Sequence, residues 1–534
     1  MGCGMSGTDA TSDVAAGVAV SWETPRLKGL TTWDADWAGL KVVVAGIGAS
    51  GFSAADTLIE LGAVVVVVDG GATAENEAKA DTLRIVGARA VLLGAEHTVE
   101  LPLVDGQPAD LVVTSPGWRP TQSLLADAAR AGVPIWGDVE LAWRVRIREG
   151  RRTAEWLTIT GTNGKTTTVG LTESMLLAGG KRAIAAGNVG TPILDVIRDP
   201  QGYEFLAVEL SSFQLHWAHS VSPLASVCLN IAEDHVDWHG SYEAYRAAKA
   251  SIYDRTRIAC IYNVEQRETE TMVEDADVIE GCRAVGFTTG MPSISMMGVV
   301  EDLLVDRAFI EQRKDSAAEL ASISELGDVV PRHLVANALA AAALVRAAGL
   351  PTSAVRDGIR AYQPGEHRIQ VVANEHGVLW INDSKATNPH AASASLASFQ
   401  SVVWIAGGLS KGVSYDDLVR EHAKRLRAVV LLGADPAPLE SALSRHAPDV
   451  PVSLHPSLHT GQGYDGGSPD PVTGATLMQW AVTEAARLAQ DGDTVLMAPA
   501  AASMDQFSSY AHRGAAFMAA VHARGGQGTT AKES

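Results

Sequence analysis

Four cysteines in 534 residues (Cys3, Cys228, Cys260 and Cys282), with no paired spacing, exclude a disulfide framework. No apolar run reaches the roughly 20 residues needed to span a bilayer. Positive charge is scarce: 42 Lys and Arg face 62 Asp and Glu, for a net charge of −20. Without a long basic run there is no footprint for a nucleic-acid backbone, and a membrane-surface role is excluded on the same ground. Residues 1–38 lack a basic region followed by an apolar one, so no signal peptide is expected, and a reducing cytoplasm is the expected home. The 51 Gly and 22 Pro are spread along the length, which excludes collagen-like and low-complexity classes, and no internal repeat is found.

Hydrophobic residues make up 46% of the chain, enough for about three cores at roughly 150 residues per domain. Short β-branched runs alternate with Ala/Leu/Arg segments of helical period, the pattern of parallel sheets with crossover helices. Strands are expected at Lys41–Ala45, Val64–Val68, Ala90–Leu93, Leu111–Thr114, Leu157–Thr160, Phe205–Leu210, Ser226–Asn230, Ile258–Asn263, Val378–Asn382, Val402–Ala406, Ala428–Leu432 and Thr494–Ala498. A helix from about His333 to Ala348 stops before Gly349 and Pro351, and Thr460–Ala475 reads as a surface loop. The fold class is α/β: three consecutive α/β domains over 38–143, 144–364 and 365–524, with a flexible extension at 1–37 and a frayed tail at 525–534.

The strongest local signal is Thr160-Gly161-Thr162-Asn163-Gly164-Lys165-Thr166-Thr167, placed after an apolar strand and before a helix. Glycines let consecutive N–H groups turn toward phosphate oxygens, Lys165 reaches the outer phosphates, and the Thr166 hydroxyl suits Mg²⁺. Ile159 stands where a standard Walker loop has its first glycine, leaving a short G-x-x-G-K-T loop. The strand Phe205–Glu209 ends in a carboxylate that a divalent cation would satisfy, and a solvated or salt-bridged glutamate is the plainer alternative. Glu233, Asp234, His235, Asp237 and His239 follow the next strand, where α/β sheets place active sites. Cys228, His235 and His239 are too few for zinc, and Cys228 reads as a core thiol.

Gly46-Ile47-Gly48-Ala49-Ser50-Gly51 also follows a strand, and Asp69 ends the next one. Alone this pattern fits a dinucleotide, but the geometry accepts any nucleotide diphosphate. With a second phosphate loop downstream, the first unit is expected to hold a nucleotide-tagged substrate.

From Leu40 to about Arg524 the sequence resembles the Mur ligase family of peptidoglycan precursor enzymes. The resemblance is carried by Gly161–Thr167, Gly187–Gly190, Glu209–Leu215, Asn230–Asp237, Tyr245–Lys249, Asn382–Pro389 and Ala498–Phe507. The last two stretches are similar to those of the member that adds D-glutamate. The resemblance implies a Rossmann-like domain for the UDP-linked substrate, a P-loop-type central ATPase and a Rossmann-like C-terminal domain for the amino acid and ATP. It implies that an L-alanine carboxylate on UDP-N-acetylmuramate becomes an acyl phosphate, which the D-glutamate amine attacks. Lys165, Glu209, His235 and Lys249 are the implied catalytic set, and Thr166, Glu209, His235 and Lys249 hold two Mg²⁺ ions. A lysine cation cannot ligate Mg²⁺, and the family carries a CO₂-derived carbamate at the position of Lys249, where local sequence alone suggests an ordinary helix-surface lysine. ATP contacts fall on Gly161, Thr162, Asn163, Gly164, Lys165, Thr166, Thr167, Asn337, Arg368 and Asp383. Ser50, Asp69, Gly117, Asn188, Ser211 and Gln214 are implied for the UDP substrate, and Lys385, Thr387, Lys411, Ser503 and Tyr510 for D-glutamate. Gly70, where many members carry a hydroxyl, and Leu409-Ser410, where some carry an acid, depart from the pattern. A monomer with a hinge at Pro364-Gly365 is expected, with neither nucleic acid nor membrane as partner.

The competing readings are an NAD-dependent oxidoreductase resting on Gly46–Gly51, a nucleotide-binding regulator without catalysis, and a family member with a different incoming amino acid.

Overall fold

A computed structural model describes residues 22–327, 329–410, 412–455 and 471–527. Strands and helices alternate along the chain: β1 (Lys41–Ala45), α1 (Ala49–Glu60), β2 (Val64–Asp69), β3 (Ala90–Leu93), β4 (Leu111–Thr114), β5 (Ile135–Gly137), α2 (Asp138–Val145), β6 (Glu155–Thr160), α3 (Lys165–Ala178), β7 (Ala183–Gly187), β8 (Phe205–Glu209), α4 (Ser212–His216), β9 (Ala225–Cys228), α5 (Tyr242–Ala250), β10 (Ala259–Asn263) and β11 (Arg283–Phe287). There follow β12 (Met296–Val300), β13 (Leu303–Asp306), β14 (Ala318–Ser322), α6 (Arg332–Ala347), β15 (Gln370–Glu375), β16 (Val378–Asn382), α7 (Pro389–Leu396), β17 (Val402–Gly407), β18 (Leu426–Leu432), β19 (Val452–Leu454), α8 (Pro471–Leu488), β20 (Thr494–Met497) and α9 (Tyr510–Gln527). Two compact units result: one takes the chain up to Gly161 with Gly180–Val285 and Ala347–Gly349, the other Thr162–Gly179, Gly286–Arg346 and the chain from Leu350.

The first unit contains a parallel sheet in the order β3-β2-β1-β4-β5 and the run β11-β10-β9-β6-β8-β7 of a second. The all-valine stretch of β2 is buried on both faces, as expected of a central parallel strand. In the second sheet chain order reverses at β6, which has β9 on one side and β8 on the other. Such a reversal opens a crevice at the carboxyl ends of the strands. Ile159 lies opposite Glu209, and Thr160 opposite Cys228, so the phosphate loop starts one row beyond the acidic end of β8.

The extension expected over 1–37 is corrected for its described part. Pro25–Lys28 forms a helical turn, and Leu27, Leu30, Trp33 and Trp37 are buried in the core of the first unit. Arg144 Nη1 donates to the Leu27 carbonyl at 2.9 Å, and Trp136 Nε1 donates to the Trp22 carbonyl at 2.7 Å. Apolar side chains interspersed among Gly, Thr and Asp supply the burial that mean composition conceals.

In the second unit, the meander β12-β13-β14 continues from Gly286 and Phe287, which pair with Met296 and Met297. Its other sheet runs β15-β16-β20-β17-β18-β19, with β15 antiparallel to its neighbour. Helix α8 starts at Pro471, inside the stretch read as a loop, of which residues 460–470 lie outside the described residues. Helix α9 continues through Gly525 to Gln527 into the expected tail, of which residues 528–534 lie outside the described residues. Among the described residues no helix is long and apolar enough to cross a membrane.

Candidate active site

In the first unit the Gly46–Gly51 loop joins β1 to α1. Gly46 has φ +103°, and a Cβ on Gly51 would sit 1.9 Å from the Gly46 carbonyl oxygen, so both positions require glycine. The loop is braced by Asp69: Oδ2 accepts the Ile47 N–H and Oδ1 the Gly71 N–H, each at 2.8 Å. Gly117, in the turn after β4, has open space where a side chain would project. Asp138, buried at the start of α2, accepts from Gln214 Nε2 at 3.3 Å and from the Ser50 hydroxyl. Burial pushes the Asp138 carboxyl up in pKa, against the pull of those donors. Ser211 and Gln214 cap α4 reciprocally: Ser211 Oγ accepts the Gln214 N–H at 3.2 Å, and Gln214 Oε1 the Ser211 N–H at 3.1 Å.

Glu209, at the end of β8, is 1% exposed. Its Oε1 accepts from Asn188 Nδ2 at 3.0 Å, while Oε2 is buried with no hydrogen-bond partner among the described residues. A buried carboxylate oxygen left in this state fits a divalent cation, whose hard charge prefers such donors. Asn188, implied for the UDP substrate, thus engages the glutamate, by its backbone N–H as well, to the Glu209 carbonyl at 2.9 Å. Lys249 on α5 is 2% exposed, not a surface lysine. Its Nζ donates to the Gly161 carbonyl at 2.9 Å and to Thr160 Oγ1 at 3.3 Å. His235, beyond β9, holds a left-handed backbone (φ +52°) with its ring 4.8 Å from that of Phe213. Such a conformation is uncommon outside glycine and concentrates at functional sites.

In the second unit α3 begins directly after the phosphate loop. Gly164, at φ +84°, precedes it, and a Cβ there would lie 2.5 Å from Asn337 Oδ1. Lys165 Nζ donates to the Thr162 carbonyl at 3.0 Å. Asn163 is held at both ends of its amide: Asn388 Nδ2 donates to its Oδ1 at 3.2 Å, and its Nδ2 lies 2.9 Å from His390 Nδ1. Thr166 and Thr167 occupy the first turn of α3, half-buried.

The stretch after β16 is ordered by buried polar contacts. Asn382 Nδ2 donates to His367 Nδ1 at 2.8 Å. Asp383 accepts from the Ser395 hydroxyl and from the Ile369 N–H, and burial pushes its carboxyl up to about 6 against those bonds and the charge of Arg368. Arg513, 1% exposed, donates to Ser384 Oγ and to the Ser384 carbonyl, each at 3.0 Å, and to the Ala501 carbonyl at 3.2 Å. Lys385 Nζ sits 3.9 Å from the centre of the Tyr510 ring, which brings two of the amino-acid-pocket candidates together. Thr387 follows, its N–H donating to the Lys385 carbonyl at 2.8 Å. Ser503 is buried in the loop after β20, where Ala502 pairs with Leu409. Lys411 lies outside the described residues.

Sequence reasoning missed Asp138, Arg513 and His390. Only the last lay beside a legible signal, since Asn388 before Pro389 is a helix-start signature, and Asn388 Oδ1 caps α7 by accepting the Ala391 N–H at 2.8 Å.

Two family models match the chain: the Mur ligase middle domain over residues 159–345 and the Mur ligase glutamate ligase domain over residues 367–501. A UDP-N-acetylmuramoylalanine–D-glutamate ligase of Streptomyces avermitilis is 54% identical over 490 residues, covering 92% of this chain and 99% of its own. One of the same name from Leifsonia xyli is 50% identical, covering 93% and 95%. Among solved structures, a pseudomurein peptide ligase type C from Methanothermus fervidus superposes with a TM-score of 0.53 at 15% identity, over 86% of this chain and 96% of its own. A MurF ligase from Thermotoga maritima, solved with ADP, gives 0.52 at 17% identity, over the same two shares, and these likenesses show the shared fold. Together with a lysine-bearing phosphate loop and a buried acidic strand end, these matches establish that the chain belongs to the Mur ligase family of ATP-dependent amide-bond-forming enzymes.

Proposed function

We propose that the chain joins D-glutamate to UDP-N-acetylmuramoyl-L-alanine in peptidoglycan precursor synthesis, as a cytoplasmic monomer, releasing ADP and phosphate. The observation that carries the substrate assignment is the Asn382–Pro389 stretch, with the Lys385 ammonium held over Tyr510. The relatives matched over nearly the whole chain bear that activity in their names. A pocket for two carboxylates needs ammonium groups, hydroxyls and backbone N–H groups, which Lys385, Thr387, Lys411, Ser503 and Tyr510 supply as residue types.

The alanine carboxylate attacks the γ-phosphoryl group of ATP, anion against anion, so cancelling charge is the main catalytic requirement. Lys165 lets go of the Thr162 carbonyl and takes the transferring phosphate. Gly161–Gly164 and the N-terminus of α3 direct N–H groups at the phosphates, and Asn337, Arg368 and Asp383 bind the rest of the nucleotide. Thr166 and Glu209 would hold one Mg²⁺, and His235 with Lys249, as its carbamate, a second. Bound there, the divalent ions would neutralise the polyphosphate. As a carbamate, formed by addition of its amine to CO₂ with loss of a proton, Lys249 would present an anionic oxygen ligand, and its burial would keep that group away from bulk water. The D-glutamate amine then attacks the acyl phosphate, and phosphate leaves. Ser50, Asp69, Gly117, Asn188, Ser211 and Gln214 form the UDP-substrate side, and the functional domains run over 38–143, 144–364 and 365–524.

The test is competition among amino acids. With ATP, Mg²⁺ and UDP-N-acetylmuramoyl-L-alanine present, D-glutamate is expected to trigger phosphate release, and L-glutamate, meso-diaminopimelate and L-lysine are not. Release with one of the others and none with D-glutamate overturns the assignment.

A further inference from the structure

The contacts around Asn163 fix the direction of every hydrogen bond in a chain that ends on His390. The Ala391 N–H can only donate, so the atom it meets on Asn388 is the carbonyl Oδ1. The other end of that amide, Nδ2, is therefore a donor, and the atom it meets on Asn163, at 3.2 Å, is Oδ1. That leaves Asn163 Nδ2 as the donor toward His390 Nδ1 at 2.9 Å. His390 Nδ1 must then carry a lone pair, and the ring proton sits on Nε2. A helix cap thus dictates both the orientation of a phosphate-loop amide more than two hundred residues away in sequence and the tautomer of a histidine in its own first turn.

We propose that His390 is a positioning residue for ATP: by accepting from Asn163 Nδ2 it sets the conformation of the phosphate loop before the nucleotide arrives. The inference rests on the ATP-binding reading of Gly161–Thr167. Asn163 lies between Thr162, whose carbonyl receives the Lys165 ammonium, and Gly164, whose left-handed backbone opens α3. Loss of the His390 acceptor loosens the hold on the Asn163 amide, and the extra ordering then required on binding weakens affinity for ATP without altering the groups that meet the transferring phosphate.

Two variants separate this role from a structural one. His390→Leu keeps bulk and removes the acceptor, whereas His390→Asn places a carbonyl oxygen close to where Nδ1 stands. Steady-state kinetics and ATP–Mg²⁺-induced thermal stabilisation would be measured on the full chain, with the unliganded melting temperature as a control for folding. The expected result for His390→Leu is a KM for ATP raised about 3- to 10-fold, the scale of one hydrogen bond, with kcat within 2-fold and the unliganded melting temperature unchanged. His390→Asn is expected to restore most of the loss. A wild-type KM in His390→Leu, a fall in kcat and melting temperature at constant KM, or equal impairment of both variants overturns the proposal. Wild-type chain that ATP–Mg²⁺ does not stabilise would instead remove the ATP reading of the loop.

Discussion

The chain has two glycine-rich loops, each between a parallel strand and a helix, and they are braced by opposite chemistry. The Gly46–Gly51 loop leans on a carboxylate: Asp69 accepts the N–H groups of Ile47 and Gly71. The Gly161–Thr167 loop leans on no carboxylate among these contacts: Asn388 meets Asn163, Asn337 meets Gly164, the Lys249 ammonium meets the Gly161 carbonyl, and the loop keeps a lysine of its own. A carboxylate seated among N–H groups cancels much of their attraction for a further anion, whereas an amide positions a loop and leaves its potential intact. This difference supports the proposed assignment of the second loop to a triphosphate and of the first to a nucleotide-linked sugar. Strand–glycine–helix geometry alone does not distinguish them; the bracing group does.

The largest expected effect tests the charged loop. Lys165→Met should lower kcat by about 1,000-fold, the scale for removing a group that meets developing charge, while UDP-substrate binding measured by calorimetry persists. Equal ligation rates in variant and wild type would break the contrast, since the second loop would then need no cation.

Next comes a reciprocal pair. A Cβ on Gly51 meets the Gly46 carbonyl oxygen at 1.9 Å, and one on Gly164 meets Asn337 Oδ1 at 2.5 Å at positive φ. Gly51→Ala should weaken UDP-substrate binding by roughly 10- to 100-fold and spare ATP–Mg²⁺, and Gly164→Ala should do the reverse, as strain of about 1–3 kcal/mol implies. Thermal stabilisation by each nucleotide reads both, and a variant that loses the two ligands together would show that the loops do not act separately.

The smallest effect concerns a carboxylate in the opposite situation to Asp69. Asp383 is buried, and its pKa is pushed up to about 6 from an unfolded value of 3.8. Below about pH 4 it is protonated in both states and costs the fold nothing. Between pH 4 and 6 the folded chain keeps a proton that the unfolded chain loses, so stability falls as pH rises. Above 6 the full cost, about 3 kcal/mol at most, is present. Asp383→Asn should therefore gain stability relative to wild type as pH is raised from 4 to 7, by denaturant titration at each pH. A difference that does not vary with pH would show that burial is not what governs this carboxyl.

How much could be read in advance depended on the range of the interactions. Strands such as Ala90–Leu93, Leu111–Thr114 and Val378–Asn382 were legible to the residue, because unbroken β-branched and apolar runs between turn signals form by local preference. The meander β12–β14 was not, since Met296–Val300 and Leu303–Asp306 are short and weakly patterned and are held by cross-strand pairing. Residues 22–37 misled because they were read together with the Gly-, Ser-, Thr- and Asp-rich segment before them, which masked the buried Leu27, Leu30, Trp33 and Trp37. Within the candidate site, the loop lysine and the acid ending β8 stood out through their positions after strands. Lys249 did not, because its burial comes from contact with Thr160 and Gly161, far away in sequence. Asp138, which receives Gln214, and Arg513, which joins Ser384 to Ala501, carried no local signal at all.

By itself the sequence determined the alternation of strands and helices, the two glycine loops and the chemical type of each strand-end residue, because hydrophobic period and turn residues act over a few positions. Only the tertiary structure decided which groups are deprived of water, the Glu209 oxygen with no hydrogen-bond partner among the described residues and the raised carboxyl of Asp383, and how the amide of Asn163 is oriented by Asn388 and His390. Burial and hydrogen-bond direction depend on neighbours supplied by distant segments, and no local pattern encodes them.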